Sequence, residues 1–332
     1  ELTALNSTPN RHVVPMVRPG SLPQTVDVEL KMEDHNPLSA SASLNNDHSI
    51  DTHELRASAT LGHDNLWQLG HQASVTFFGA PQALSEARVW SFSYLAPFRN
   101  SPFSVQATGY TSDSNVATVG GTSVLGKGYA VGVQGNYALP QTGDWSGSLG
   151  LGVDFKDLKE KVSLGGSSNE VPIHYVPITF SFNGYRFSES SQSSLAVSAV
   201  AGTGIGSDSQ AFGAKRYRAS PSFMYLKADG SHTQNVKGGL QLYARGAAQI
   251  STGPLVSGEQ FAAGGATSVR GYFSAEATGD DGLLGTLEVR TPSYEHYLWT
   301  GVDEWRMYAF FDAATLRLRD ALPEQRRSYT LL

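Results

Sequence analysis

The sequence has no cysteine among its 332 residues, which excludes disulfide bonds, thiolate metal ligands and a cysteine nucleophile. It also has no run of about 18 apolar residues, so it predicts no transmembrane helix. Charged residues make up only 16% of the chain, and the net charge of -6 comes without any basic block. That balance argues against nucleic acid as a partner. A phosphate-binding loop of the Walker type is missing as well, so no nucleotide and no other cofactor is expected.

The sequence is instead dominated by alternation between apolar and small polar residues, from Pro37 onward. A period of two is the signature of a β-strand whose two faces meet different surroundings. The alternating segments are Leu38–Leu44, Leu55–Leu61, Trp67–Phe77, Val89–Tyr94, Phe103–Tyr110, Tyr129–Tyr137, Trp145–Phe155, Ile173–Phe182, Leu195–Ala201, Phe223–Ala228, Leu240–Arg245, Leu283–Arg290 and Trp305–Asp312. The sequence therefore predicts an all-β fold with about 13 to 14 strands, the last of which opens at Ser328–Leu332.

The polar face of these segments favours a membrane barrel over a soluble β-fold, which is the alternative. A soluble sheet carries lysine, glutamate and arginine toward water, whereas these positions hold mostly serine, glycine, glutamine, threonine and asparagine. The segments reach roughly ten residues and carry aromatic residues near their ends, as strands that span a bilayer do. Because every backbone group in lipid must find a partner, the sheet is expected to close into a transmembrane antiparallel β-barrel.

The connections between the segments alternate in length, and this alternation predicts how the barrel is oriented in the outer membrane. Long gaps such as 111–126 and 250–282 follow the odd-numbered strands, and short gaps such as 62–66 and 139–144 follow the even-numbered ones. Outer-membrane barrels have short periplasmic turns and long extracellular loops, so the N-terminal end is placed in the periplasm. Bacterial barrels usually have an even number of strands, and we therefore expect the barrel at 36–332 to be incomplete at its C-terminus.

Residues 1–35 differ from the rest and are predicted to be the end of a small α/β module. Glu1–Asn6 is interpreted as the end of a helix, and Arg11–Val17 and Thr25–Glu33 as two strands. The first residues have neither the basic region nor the apolar core of a signal peptide. We therefore expect the chain to be an internal piece of a longer precursor.

A glycine-rich segment at 258–282 interrupts the alternation and is too long for a hairpin turn. Loops of this length inside a compact fold are usually functional or disordered. Apolar residues such as Phe261 and Val269 argue against disorder. Arg270 lies at the centre, within Val269–Tyr272, and the glycines around it, including Gly271, allow the backbone to turn sharply.

The alternation also predicts which charged side chains face the lumen. If the apolar residues of 283–290 and 305–313 face lipid, then Glu288, Arg290, Arg306 and Asp312 point inward. An inward-folded loop would bring Arg270 to Asp312, and arginine–carboxylate pairs are bidentate and orienting. The alternative for Arg270 is a solvated position in an extracellular loop. Glu288, Arg290 and Arg306 would form an ion network beside Asp312 or, alternatively, charges that set the polarity of the pore.

These segments resemble the signature region of the two-partner secretion transporters, of the haemolysin-activator and filamentous-haemagglutinin translocator type. The resemblance rests on Gln260–Tyr272, Gly282–Pro292 and Phe310–Asp312, and it spans essentially the whole chain. It implies a barrel of about 16 strands preceded by periplasmic POTRA modules, the second of which would end in 1–35. It also implies that Arg270, in the inward-folded loop, pairs with Asp312, next to Phe310. Ala314 stands where this family usually has glycine.

The resemblance implies an outer-membrane translocator that secretes an unfolded partner exoprotein, of haemolysin or adhesin type, from the periplasm. Outer-membrane lipid would surround the barrel. Two alternatives stay open at this point. One is an outer-membrane protein or lipid assembly factor of the same superfamily, and the other is a passive porin-like channel.

Neither a metal site nor an enzyme is expected from the remaining residues. Asp280 and Asp281 before Gly282 could suggest calcium, but two acids before glycine more often form a turn. The nine histidines are scattered without the spacing of metal ligands. No serine lies in a nucleophile-elbow sequence, so hydrolase chemistry is not predicted.

Overall fold

A computed structural model describes residues 11–19, 26–50, 52–113, 116–117, 124–125, 127–159, 161–164, 167–297 and 301–332. Within these ranges the chain is almost entirely β-structure. One α-helix is described, α1 (Ser209–Lys215), along with short 3-10 turns at Ser257–Glu259 and Glu295–Tyr297. No helix in the described ranges is long and apolar enough to cross a membrane.

The strands follow one another with few other elements between them. Those up to residue 158 are β1 (Arg11–Pro19), β2 (Val26–Asp34), β3 (Leu38–Asn45), β4 (Arg56–Leu66), β5 (His71–Gly79), β6 (Arg88–Pro97), β7 (Phe103–Ser112), β8 (Val116–Ala117), β9 (Val124–Leu125), β10 (Gly128–Ala138) and β11 (Trp145–Leu158). Those after it are β12 (Lys161–Leu164), β13 (Ser167–Glu170), β14 (Ile173–Tyr175), β15 (Pro177–Phe187), β16 (Ser191–Gly202), β17 (Met224–Asn235), β18 (Gln241–Ser251), β19 (Phe261–Ala263), β20 (Ala277–Gly279), β21 (Asp281–Arg290), β22 (Tyr308–Arg317) and β23 (Ser328–Leu331).

Fifteen of the strands between β3 and β23 form one sheet, in which β14 is a side branch on β11. The pairs β8–β9, β12–β13 and β19–β20 form separate two-stranded sheets. The long strands of the large sheet pair with their neighbours along the chain, and the pairs are antiparallel throughout. The two outermost strands, β3 and β23, are not paired with each other among the described residues, so the sheet is not closed. The predicted all-β antiparallel architecture is confirmed, including the additional strand at Ser328–Leu331.

The two faces of the sheet follow the predicted alternation. On β21 the side chains of Leu283, Leu287 and Val289 are exposed, whereas Thr286 and Glu288 on the opposite face are buried. A strand with exposed leucines outside and buried polar groups inside is what lipid on one side and a filled lumen on the other require. The concave, inner face is called the lumenal face below.

The sheet curves so strongly that both of its ends reach the loop between β18 and β21. In that loop the Oγ of Ser274 donates to Asp47, which follows β3, at 2.6 Å. The backbone N–H of Leu332, just past β23, donates to the Tyr272 hydroxyl at 3.4 Å. A flat sheet would hold these two ends far apart, so the curvature is that of a barrel wall.

Two strands begin three or four residues later than predicted. β5 begins at His71 instead of Trp67, because Trp67 and Gln68 both have a φ of 59° and form a turn. β22 begins at Tyr308 instead of Trp305. The described residues before it, 291–297 and 301–307, belong to the connection, and there the Trp305 carbonyl oxygen accepts a backbone hydrogen bond from the Tyr294 N–H.

At the N-terminus β1 and β2 form a separate antiparallel hairpin, with Arg11 opposite Asp34 and Pro19 opposite Val26. These strands match the two predicted for residues 1–35. The helix end expected at 1–6 lies outside the described residues. The assignment of this segment to a POTRA module stays a prediction.

Candidate functional site

The loop at 252–280 folds into the lumen and consists of a base and a tip. The base, residues 252–263 and 277–280, contains the small hairpin of β19 and β20. The tip, residues 264–276, begins with Gly264 and Gly265, whose φ angles are 111° and 102°. A Cβ on Gly264 would lie 2.4 Å from the carbonyl oxygen of Phe273, so only glycine fits where the chain turns into the tip.

Arg270, at the centre of the tip, makes a two-pronged contact with the barrel wall. Its Nε donates to Oδ2 of Asp312 at 2.7 Å, and its Nη2 donates to Oδ1 at 2.8 Å. The backbone N–H of Arg270 also donates to Asp312 Oδ2, at 3.1 Å. Fork-to-fork pairs of this kind fix orientation as well as distance.

A second carboxylate binds the same guanidinium. Arg270 Nη1 donates to Oε2 of Glu288 at 2.6 Å, and Arg290 Nε donates to the other oxygen of Glu288, also at 2.6 Å. The Arg270 guanidinium lies over the Phe310 ring, with its Cζ 3.5 Å from the ring centroid. Arg270, Asp312 and Glu288, with Arg290 and Phe310 beside them, are called the Arg270 clamp below.

The two carboxylates of the clamp are almost fully buried. The side chains of Asp312 and Glu288 are only 2% and 7% exposed, and that of Arg270 is 22% exposed. The hydrogen bonds to Asp312 raise the pKa of Arg270 above its ordinary value, so the guanidinium stays charged at any physiological pH. A buried cation that bridges two carboxylates is costly to remove, because the anions would be left unpaired.

Three of the other predicted site residues, Val269, Tyr272 and Arg306, are not part of the Arg270 clamp. Val269 is fully buried, whereas Tyr272 is exposed and receives the bond from Leu332. Arg306, which was expected in the same ion network, lies outside it and pairs with Glu304. Because β22 begins only at Tyr308, Arg306 belongs to the connection before the strand and does not reach Glu288.

The base of the loop has an anchor that the sequence did not suggest, centred on Glu259. Lys156 Nζ and the Tyr175 hydroxyl donate to Oε1 of Glu259 at 2.5 and 2.6 Å. The Tyr225 hydroxyl donates to Oε2 at 2.7 Å. These donors lie on β11, β14 and β17, and the Glu259 side chain is only 1% exposed. The available signal in the sequence was that Glu259 is the one charged residue between positions 251 and 269.

A third anchor uses Asp280, at the end of the base. Arg216, just after α1, donates to both carboxylate oxygens of Asp280 at 2.5 Å. Backbone N–H groups of Leu255 and Arg319 add bonds to the same carboxylate, at 2.8 and 2.7 Å. The neighbouring Asp281 pairs with Arg319. Arginine therefore occupies both carboxylates, and the described residues contain no cluster able to hold a metal ion.

Apolar packing supports the base on two sides. Leu255 and Val256 belong to a buried cluster with Phe212 of α1, Tyr175 and Phe223. Phe261, Ala263, Val269 and Ala277 belong to a second cluster; its wall residues are Ala247, Leu284, Ala314, Leu316 and Leu331. The base is thus part of a packed core. Of the tip, only Val269 is part of either cluster.

Comparison with protein families gives one match that covers most of the chain. The model of the family described as haemolysin secretion/activation protein ShlB/FhaC/HecB matches residues 24–325. This family consists of outer-membrane secretion transporters and is not an enzyme family. A comparison with curated protein sequences finds no match.

Solved structures of outer-membrane barrels share the fold. CdiB from Escherichia coli is 18% identical, with a TM-score of 0.72 over 99% of this chain and 61% of that one. CdiB from Acinetobacter baumannii is 16% identical, with a TM-score of 0.69 over 99% of this chain and 59% of that one. BamA from Haemophilus ducreyi, lacking POTRA domains 1–3, is 15% identical, with a TM-score of 0.55 over 92% of this chain and 63% of that one. The chain thus spans about three fifths of the CdiB chains that it resembles.

Proposed function

Because the chain belongs to the haemolysin secretion/activation protein ShlB/FhaC/HecB family, we propose that it carries the barrel of a two-partner secretion translocator. Such a translocator exports an unfolded exoprotein of haemolysin or adhesin type from the periplasm across the bacterial outer membrane. The likeness of the sheet to two CdiB barrels supports the same proposal at the level of the fold.

The observation that carries the proposal is the Arg270 clamp. It fixes the tip of a long inward-folded loop to the lumenal face of β21 and β22. Arg245 on β18 adds a bond from Nη1 to the carbonyl oxygen of Thr267, at 2.7 Å. A passive pore needs no loop held by two buried carboxylates, whereas a protein-conducting pore needs an element that closes it at rest and is held aside during passage.

Entry of the exoprotein is proposed to use the N-terminal hairpin. β1 and β2 pair only with each other among the described residues, so this small sheet has edges on which an extended segment can add a strand. Backbone hydrogen bonds at such an edge would capture an unfolded chain without demanding a particular sequence. The segment would then be delivered to the short-turn side of the barrel.

The test is export by the full-length transporter with Arg270→Ala, compared with Arg306→Ala as the matched control. Arg306 is an arginine outside the clamp. We expect Arg270→Ala to abolish or sharply reduce the exoprotein in the medium, and Arg306→Ala to leave it unchanged. Heat-modifiable migration on gels checks that both barrels insert. Unchanged export by an inserted Arg270→Ala barrel would remove the clamp from the mechanism.

The second candidate is an outer-membrane assembly factor, which the likeness to BamA favours. Depletion of an assembly factor lowers the amount of many outer-membrane barrels, whereas depletion of a two-partner transporter stops the secretion of one exoprotein. Quantifying outer-membrane proteins after depletion therefore separates the two. A porin-like channel would keep its solute flux after deletion of residues 264–276 and would export no protein.

A further inference from the structure

The outward face of the barrel wall, opposite the lumenal face, carries an exposed arginine at the last residue of β22. Thr315 and Arg317 are exposed on this strand. The residues that alternate with them, Ala314 and Leu316, are buried on the lumenal side. Because successive side chains of a strand point to opposite faces, Arg317 points outward. β22 lies between β21 and β23, so neighbouring strands flank Arg317 on both sides.

Arg317 lies just beyond the apolar part of the outward face. The exposed Leu283 of β21 pairs with Thr315, and the next outward pair along the two strands is Asp281 with Arg317. The step from one outward pair to the next is about 7 Å. This end of β21 joins the long loop at 252–280, and the long connections of an outer-membrane barrel are extracellular. Arg317 therefore lies where the apolar core of the membrane gives way to the headgroups of the outer leaflet.

The carboxylate that stands opposite Arg317 is already occupied. Both oxygens of Asp281 accept hydrogen bonds from Nε of Arg319, at 3.0 and 2.9 Å. The backbone N–H of Ser251 donates to Oδ1 of the same aspartate at 2.9 Å. No described residue forms an ion pair or a side-chain hydrogen bond with Arg317. One aspartate thus faces two arginines, and it neutralises the charge of Arg319 alone.

The connection between β22 and β23 brings two more exposed arginines, Arg326 and Arg327, to the same place. The backbone N–H of Leu318 donates to the carbonyl oxygen of Arg327 at 2.9 Å. Arg327 therefore lies one residue from Ser328, which pairs with Arg317. Nε of Arg326 donates to the carbonyl oxygen of Ser328 at 2.9 Å. Arg317, Arg326 and Arg327 are called the arginine patch below.

The acidic residues of this connection do not balance the patch. Asp320 pairs with Arg218, with 3.1 Å between Oδ1 and Nη1. That leaves the carboxylate of Glu324 for three exposed arginines. The chain as a whole has a net charge of -6, so the positive charge here is a local feature and not a property of the whole surface. Like charges that are close together repel one another, so the patch favours an anionic ligand.

We propose that the arginine patch binds a phosphate group of the glycolipid that forms the outer leaflet of the outer membrane. A guanidinium matches a phosphate group with two parallel hydrogen bonds and keeps its charge at any physiological pH. The outward position of Arg317 favours a lipid phosphate over inorganic phosphate, because the headgroup of a neighbouring lipid lies at the same level as this side chain. Such binding depends on the location of the barrel in the outer membrane and is independent of the export function.

A lipid bound at the arginine patch would also brace the loop base. The carbonyl oxygen of Arg317 accepts a hydrogen bond from the backbone N–H of Asp280 at 2.9 Å. The backbone N–H of Arg319 donates to the carboxylate of Asp280 at 2.7 Å. The end of β22 that carries the patch is thus a part of the wall to which the third anchor is fixed. A ligand that binds the folded barrel raises its stability, so the lipid should raise the melting temperature.

Titration of the full-length transporter with defined lipids tests the site. The protein is purified in detergent, freed of its native lipid and titrated with phosphorylated lipid A, the membrane anchor of the outer-leaflet glycolipid. A chelator removes divalent cations, and native mass spectrometry gives the Kd. Arg317→Gln is the test variant and Lys159→Gln the matched control. Lys159 is also exposed, directly follows β11 at the extracellular end, and has no described residue paired with its side chain.

We expect Arg317→Gln to weaken the binding of phosphorylated lipid A roughly fivefold, which is the contribution typical of one basic residue near an anionic lipid surface. Lys159→Gln should leave the Kd unchanged. Arg317→Lys should weaken binding less than Arg317→Gln, because lysine keeps the charge but lacks the planar fork. Heat-modifiable migration on gels checks that each barrel is folded. An unchanged Kd in Arg317→Gln, or equal weakening in Arg317→Gln and Lys159→Gln, would overturn the proposed site.

Two further ligands identify the source of the phosphate. Lipid A without its phosphate groups should bind at least fivefold more weakly than phosphorylated lipid A, and equal binding would mean that the acyl chains alone are recognised. Inorganic phosphate at the concentration of the lipid should not displace it. Displacement would show that the site takes free phosphate and would overturn the lipid proposal. As a second measurement, phosphorylated lipid A should raise the melting temperature of the unmodified transporter and of Lys159→Gln more than that of Arg317→Gln. An equal rise in all three would contradict the site.

Discussion

Replacing Arg270 with alanine should release the loop tip, and the size of the effect can be worked out from the clamp. The change leaves Asp312, whose side chain is 2% exposed, without its cation. Breaking a buried ion pair by removing one partner costs about 3–5 kcal/mol. The lower figure applies here, because Arg270 is 22% exposed and Glu288 keeps Arg290 as a partner. About 3 kcal/mol corresponds to a roughly 100-fold shift toward the open tip.

Thiol labelling measures that shift directly. Val269 is fully buried beside Arg270, and Val269→Cys is a conservative change in an apolar site. In outer membranes the labelling rate of this thiol by a maleimide reports how often the tip opens. We expect the rate to rise roughly 100-fold when Arg270→Ala is added. Arg270→Lys should give an intermediate rate, because lysine keeps the charge but lacks the planar fork.

The result that would refute this reasoning is an unchanged labelling rate in Arg270→Ala, since the tip would then be held by other contacts. Charge exchange gives an independent check. Arg270→Asp combined with Asp312→Arg should not restore slow labelling, because the new aspartate would face Glu288. Adding Glu288→Gln should restore part of it. Slow labelling in the double variant, without Glu288→Gln, would mean that Glu288 contributes little to the clamp.

The anchors of the loop base lead to three further predictions. Glu259→Gln should destabilise the base by about 3 kcal/mol, seen as a lower melting temperature of the barrel, because the largely buried Lys156 would lose the carboxylate with which it is paired. Arg216→Ala should cost about 3–5 kcal/mol, because Asp280 is fully buried; faster proteolysis within 252–263 is the measurement, and an unchanged rate would contradict it. Arg319→Ala should lower the stability of the barrel by only about 0–1 kcal/mol in the same melting assay, because the ion pair of Arg319 with Asp281 is partly exposed.

Which side chains face the lumen could be predicted from the sequence, because the geometry of a strand fixes the side to which each residue points. Successive side chains must point to opposite sides, so the exposed Leu287 fixes the inward direction of Glu288. The same rule put Asp312 on the lumenal face. It could not show that Arg306 pairs with Glu304 instead of joining Glu288, because Arg306 lies before the first residue of β22 and strand geometry does not fix its partner.

The anchors of the loop base could not be predicted in the same way. Glu259 binds Lys156, Tyr175 and Tyr225, and these residues lie on three strands far from it in sequence. Alternation shows that a side chain points inward, but it does not show which inward residues meet across the lumen. Which residues meet depends on the curvature of the sheet and on the path of the loop, and the alternation of apolar and polar residues predicts neither of these.

The two kinds of anchor divide the loop into a fixed part and a part that can move. The base has two buried carboxylates, Glu259 and Asp280, and contributes to both apolar clusters, so its release would disrupt several contacts at once. The tip has the Arg270 clamp and single bonds such as those of Ser274 to Asp47 and Arg245 to Thr267. It begins at Gly264 and Gly265, where the backbone can turn. Loss of the clamp alone can therefore loosen the tip while the base keeps its own anchors at Glu259 and Asp280.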